Sequence, residues 1–228
     1  MENPLQTLIE LLSKAQVFSC FNAKTLELIE RMSIQRKYQR HEQVASQGEV
    51  WPYLFFVYQG SIDAVKDSPE GRSFIATTFL QGDVFWGLGF FDERYPMPAV
   101  LVAREDTTLY LWHRSDLVPV LLQDGRSSWE LARLVVDRLL MAGEKIGDMA
   151  FQPVSARLAK LLVSVSKEEV DTPIERNLTL DEMAARIGTS REMVCRLLHK
   201  FSNDGLIDIT RTEFMIKDLT ALAGMSDK

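Results

Sequence analysis

The sequence predicts an α+β chain: an antiparallel β-roll of sandwich or jelly-roll type, then one long helix, then a small C-terminal winged helix-turn-helix. Three observations predict it. Short strand-like runs are parted by a repeated Gln-Gly dipeptide, an unbroken helical stretch carries an apolar seam, and two capped helices joined at a glycine precede an alternating hairpin. With 228 residues, 46% of them hydrophobic and 25% charged, the chain has the mix of a globular protein and the length for one large domain or two smaller ones. No apolar run reaches the roughly 18–20 residues that span a bilayer. Met1 to Ala15 carries Glu2 and Glu10 among its leucines without a basic start, so it reads as an amphipathic helix and not a signal peptide. Cys20 and Cys195 are too few and too distant for a disulfide framework, which points to a reducing cytoplasm.

In order along the chain, helical periodicity covers Leu5–Lys14 and Ala23–Met32. Strand-like runs follow at Ile34–Tyr38, Tyr53–Tyr58, Ser61–Lys66, Ser73–Phe79, Ala99–Ala103 and Thr107–Trp112. The breaks Gln47-Gly48, Gln59-Gly60 and Gln81-Gly82 read as tight turns that need left-handed backbone. From about Arg126 to Met149 nothing interrupts a helix. Ala132, Val135, Leu139, Ala142, Ile146 and Met149 step alternately by three and four, the a/d spacing by which two helices pack side by side. A second stripe, Leu131, Leu134 and Met141, faces another surface, expected to be the β-roll. Pro153 then fits the first turn of a new helix, Val154–Ser166, and marks a hinge. The expected boundaries are 1–124 for the roll, 125–150 for a dimerisation helix and 151–228 for the C-terminal domain.

The densest signal lies in Leu180–Phe201. Thr179 with Glu182 makes a capping box for one helix, and Thr189 with Glu192 reads as a second for the next, with Gly188 turning between them. Val194, Leu197, Leu198 and Phe201 share an apolar face, leaving Arg191, Glu192, Cys195, Arg196 and His199 opposite. Net charge is −6, yet Arg186–Ser202 holds Arg186, Arg191, Arg196 and Lys200 against Glu192 alone, a local basic face suited to phosphates. Arginine can bond guanine O6 and N7 together, and glutamate accepts from cytosine N4. Glu192 and Arg196, at i and i+4, can therefore serve adjacent base pairs, with Glu192 orienting Arg196. The expected DNA-facing set is Thr189, Ser190, Arg191, Glu192, Cys195, Arg196, His199 and Lys200. Arg211, in a turn near Thr210–Thr212, either meets a phosphate from a hairpin wing or caps a hairpin that only packs.

Other chemistry finds little support. Cys195 and His199 lie on the DNA-facing side without further metal ligands, and no metal site is expected. An iron–sulfur cluster needs about four cysteines. His41 and His113 are isolated, and Asp83 reads as a turn residue. No catalytic set has the spacing of an enzyme.

Gly82-Asp83-Val84-Phe85-Trp86-Gly87-Leu88-Gly89-Phe90-Phe91, then Gly143-Glu144-Lys145-Ile146-Gly147-Asp148-Met149-Ala150-Phe151, then Ser190-Arg191-Glu192-Met193-Val194-Cys195-Arg196 together resemble the CRP/FNR superfamily. These are bacterial transcription regulators related to the cyclic-AMP receptor protein. The resemblance runs over nearly the whole chain. It implies a cyclic-nucleotide-binding-domain-like roll, a homodimer, double-stranded DNA with a palindromic site of TGTGA- or TTGA-like halves, and RNA polymerase as a partner. It carries base and backbone reading to Arg191, Glu192 and Arg196.

Departures from the family's cyclic-nucleotide binders are as informative. Where they place a glutamate for the ribose, this chain has Gly87. Met97 and Pro98 stand for their arginine and their serine or threonine, and Ala142 with Gly143 for the polar pair that reads adenine. A phosphate without cation or hydroxyl donors is badly uncompensated, which argues against cyclic AMP and cyclic GMP. The expected effector pocket is apolar and aromatic: Phe85, Trp86, Gly87, Leu88, Gly89, Phe90, Phe91, Met97, Pro98, Leu139, Met141 and Ala142. Such a lining suits haem or a small apolar effector, or else is filled by its own side chains, which would make a ligand-independent regulator.

Overall fold

Two compact units make up the chain: residues 1–66 with 76–140, and residues 67–75 with 141–228. The computed structural model describes residues 7–68, 72–166, 169–175, 178–210 and 212–225.

In the first unit, local capping opens the chain. Helix α1 (Leu8–Leu12) starts at Thr7, whose hydroxyl accepts the Glu10 N–H while Glu10 accepts the Thr7 N–H. Helix α2 (Ala23–Met32) starts at Asn22. Among the described residues eight strands follow, with Asp67 and Ser73–Ile75 counted to the second unit: β1 (Ile34–Tyr38), β2 (Gln43–Ala45), β3 (Tyr53–Gln59), β4 (Ser61–Asp67), β5 (Ser73–Leu80), β6 (Val84–Trp86), β7 (Val100–Ala103) and β8 (Thr107–His113). They form two four-stranded sheets, ordered β1-β8-β3-β6 and β2-β7-β4-β5. All three Gln-Gly glycines have positive φ; at Gly60 a side chain would also strike the Asp106 carbonyl oxygen at 2.6 Å.

β3 shows why the roll is stable. Its middle is buried on both faces, because Phe55 and Val57 point into the roll while Leu54 and Phe56 point out beneath the helices. Inside, Phe55, Phe85 and Phe79 stack with centroids 4.6 and 4.2 Å apart. Outside, Leu12, Phe18, Ile29, Trp112, Leu121 and Leu131 form a second core. Trp112 satisfies its buried Nε1–H on the Ile29 carbonyl at 2.7 Å.

Helix α3 (Arg114–Gln123) and helix α4 (Gly125–Phe151) follow. Ser127, fully buried, donates to the Val17 carbonyl at 2.9 Å and pins the start of α4 to the N-terminal turns. The periodicity of α4 is as expected, but β2, β6 and α3 were not. Three-residue strands carry almost no alternation signal, and Pro119 inside α3 masks its helical pattern.

The second unit holds α5 (Val154–Ser166), β9 (Ile174–Glu175), α6 (Leu180–Ile187), α7 (Arg191–Asn203), β10 (Ile207–Ile209), β11 (Glu213–Ile216) and α8 (Leu219–Ala223). Its three strands pair in the order β10-β11-β9. Leu158, Leu162, Met183, Val194, Phe201 and Phe214 anchor its core. Among the described residues no helix is long and apolar enough to cross a membrane.

Candidate nucleic-acid interface

The helix-turn-helix is built by its caps. Thr179 and Glu182 exchange hydrogen bonds at the start of α6, as the sequence predicts. At the other end Gly188, at φ 67°, is left-handed, and both its N–H and that of Thr189 turn back to the Ala184 carbonyl. Thr189 thus still belongs to the end of α6, which corrects the expected Thr189–Glu192 box. The N-cap of α7 is Ser190, whose hydroxyl accepts the Met193 N–H at 3.3 Å.

That shift of one residue sets the outward face. Val194, Leu198 and Phe201 are buried, whereas Ser190, Arg191, Glu192, Arg196, His199 and Lys200 are exposed and Thr189 and Cys195 half-buried. Glu192 lies in the first turn, where its own backbone N–H, then the Ser190 hydroxyl, hold its carboxyl below the usual range. Arg191 pairs with Asp181 of α6 at 3.2 Å, an exposed bond that a phosphate could replace at little cost. Arg196 Nη2 donates to Met193 Sδ at 2.9 Å instead of being oriented by Glu192. An exposed i, i+4 pair contributes only about 0.3–0.5 kcal/mol, too little to fix that geometry without DNA. In the wing, Thr210 Oγ1 accepts the Glu213 N–H at 3.0 Å; Arg211 lies outside the described residues.

Along α4, Ala132, Val135, Leu139, Ala142 and Ile146 are exposed, Leu139 by 70% and Ile146 by 67%. Met149 departs from this seam: it is half-buried and packs on Gly188. Sequence reasoning missed Trp129, Val136 and Leu140, exposed apolar residues whose spacing of seven and four could have added them. Of the second stripe, Leu131 and Leu134 pack in the outer core of the roll, but Met141 is 54% exposed.

Within the first unit, the expected effector residues of the roll do not share one face. Val84 and Trp86 alternate with Phe85 along β6, so Phe85 faces the roll interior with Met97 while Trp86 packs outside with Phe90. Phe91 meets Trp86 edge-on, 5.6 Å away. Gly87 and Gly89 press their backbones on Trp51, leaving no room for side chains; Leu88 is half-buried and Pro98 exposed. On α4, Leu139, Met141 and Ala142 are exposed. Arg138 lies over the Phe79 ring at 5.2 Å and pairs with Asp83 at 3.1 Å, so Asp83 serves a turn and an ion pair. His41 and His113 have structural duties. His41 takes a left-handed turn (φ 68°), and His113 Nδ1 accepts the Ser115 N–H as the N-cap of α3.

Comparison with known proteins agrees with this architecture. Residues 35–124 match the cyclic nucleotide-binding domain family and residues 156–225 the Crp-like helix-turn-helix domain family. The cAMP-activated global transcriptional regulator Vfr of Pseudomonas aeruginosa is 26% identical over 181 residues, 76% of this chain and 85% of its own. A CRP-like cAMP-activated global transcriptional regulator of Mycobacterium tuberculosis is 24% identical over 219 residues, 94% of this chain and 97% of its own. Among solved structures, the c-di-GMP responsive global regulator CLP of Xanthomonas campestris aligns with a TM-score of 0.75 and 25% identity, covering 86% of this chain and 99% of that one. A CRP/FNR-family transcriptional regulator of Thermus thermophilus shares the fold at a TM-score of 0.71 and 19% identity, over 86% and 99% of the two chains. With a roll and a capped helix-turn-helix in the same order as in these relatives, the chain belongs to the CRP/FNR superfamily of DNA-binding transcription regulators.

Proposed function

We propose that this regulator acts as a homodimer on a palindromic DNA site with TGTGA- or TTGA-like halves, and that it does so without a cyclic nucleotide in its roll. The observation that carries the reading is the exposed face of α7, where Glu192 and Arg196 stand one helical turn apart, opposite buried Val194, Leu198 and Phe201. Two such helices about 34 Å apart would enter successive major grooves, and the symmetry of the protein would demand symmetry of the DNA. The apolar face of α4 from Trp129 to Ile146 supports the dimer, since exposed residues of this kind at heptad spacing need a partner. RNA polymerase is the further partner this reading implies.

In the roll, the Phe55–Phe85–Phe79 stack supports a self-filled interior, and haem or a small apolar effector would have to part it. A cyclic phosphate beside Met97 and Pro98 would meet a thioether and a ring without an N–H, neither able to donate a hydrogen bond.

Selection from a random DNA pool tests the reading. The expected product is an inverted repeat whose halves lie one DNA turn apart, with base preference lost in Arg196→Ala. A selected site without dyad symmetry overturns the dimeric reading; unchanged preference in Arg196→Ala overturns the assignment of that residue.

A further inference from the structure

Below the exposed seam, the last turns of α4 face α5 and the end of α6 across a cleft of about 230 Å³. Lys145, Asp148 and Met149 come from α4, Arg157, Lys160, Leu161 and Ser164 from α5, and Arg186 and Ile187 from α6. Four of these nine are cationic and one is a carboxylate, on a chain whose net charge is −6. The single carboxylate, Asp148, is held by Lys160 at 2.8 Å, and Lys145 donates to the Ile75 carbonyl while lying over the Phe74 ring. Against that one carboxylate the four cations of the lining leave a surplus of three positive charges. Arg157 uses Nη1 on the Met149 carbonyl at 3.2 Å, while its Nε is buried without a hydrogen-bond partner among the described residues. Buried N–H groups are nearly always paired, so this guanidinium keeps donor capacity that the described residues leave unused. Met149, Leu161 and Ile187 supply apolar walls beside it.

We propose that this cleft binds a small amphiphilic anion, a carboxylate borne on an apolar body, with Arg157 and Lys160 meeting the carboxylate. Its volume is below the roughly 300–1,000 Å³ of drug-sized pockets, which limits the ligand to a short chain or a single ring. Such a ligand would touch α4, α5 and α6 at once and fix the first helix of the helix-turn-helix against the end of α4. On the DNA reading above, it would thereby favour one setting of α7 and change DNA affinity.

The test is calorimetric titration of the full-length protein with sodium octanoate and, separately, with sodium phosphate. The expected result is saturable octanoate binding, one per chain, weakened about tenfold or more in both Arg157→Leu and Lys160→Gln, the loss that follows from one charge-assisted hydrogen bond. Octanoate affinity unchanged in the variants overturns the site, as does the lack of saturable octanoate binding by the wild type. Phosphate binding in place of octanoate overturns the ligand class. Should Arg157→Leu fail to fold, the exposed Lys160→Gln decides alone by the same criterion. The titration contains no DNA, so its failure is separate from failure of the operator reading.

Discussion

The side chain of Met149, at the end of α4, packs on the α-carbon of Gly188, the left-handed residue that ends α6. The last turns of α4 and the turn of the helix-turn-helix therefore meet at one small residue. Substitution Gly188→Ala adds a methyl where Met149 must move and forces alanine to φ 67°. The left-handed conformation costs a non-glycine residue about 1–2 kcal/mol. Urea unfolding should show that loss, and wild-type stability in Gly188→Ala would contradict the strain argument.

Ser190 starts the recognition helix, so Ser190→Ala should lower stability by about 1 kcal/mol, the usual value of an N-cap. Glu192 adds a pH signature. Its pKa is lowered in the folded chain, so its contribution is present above the ordinary carboxylate pKa and lost as pH falls through the lowered value. The stability gap between wild type and Glu192→Gln should accordingly be full at neutral pH and close in acid; a gap independent of pH would remove Glu192 from the cap.

Arg196→Ala should weaken binding to the selected operator by about 1–3 kcal/mol while leaving non-specific binding nearly intact. Equal weakening on operator and random DNA, read by fluorescence anisotropy at fixed salt, would make Arg196 a phosphate contact.

The double substitution Leu139→Asp, Ile146→Asp places carboxylates in the exposed seam of α4. Sedimentation velocity should then find a monomer, and affinity for the full palindrome should drop on the order of a hundredfold as the two half-sites uncouple. A dimer that survives both changes does not use this face.

Cyclic AMP and cyclic GMP should leave the melting temperature unmoved. A ligand at a hundred times its Kd adds about 2.7 kcal/mol to stability, a shift that differential scanning calorimetry resolves readily. A rise with either nucleotide would contradict the reading that the chain works without one.

Much of this architecture is local and therefore legible in the chain. Pro153 and the periodicity after it give α5 its observed bounds, Thr179 with Glu182 gives the start of α6, and the seam Ala132–Ile146 gives the exposed face of α4. Each is encoded within a few turns, because caps and helical faces depend on neighbours three to seven residues away. The outward face of α7 was legible for the same reason, although its cap lies one residue further on, at Ser190.

Tertiary structure decided the rest. In β6, Val84-Phe85-Trp86 is apolar throughout, so alternation cannot say which ring enters the roll; pairing with β3 sends Phe85 inward and Trp86 out. Met149 fits the seam by spacing, yet Gly188 takes it. The cations of the cleft lie between Lys145 and Arg186 on three helices and form no motif. Sequence by itself determined which elements form and which face of each is apolar, because those follow from short-range periodicity. Only the folded chain decided what each face meets, because contacts between distant segments depend on packing that no local pattern records.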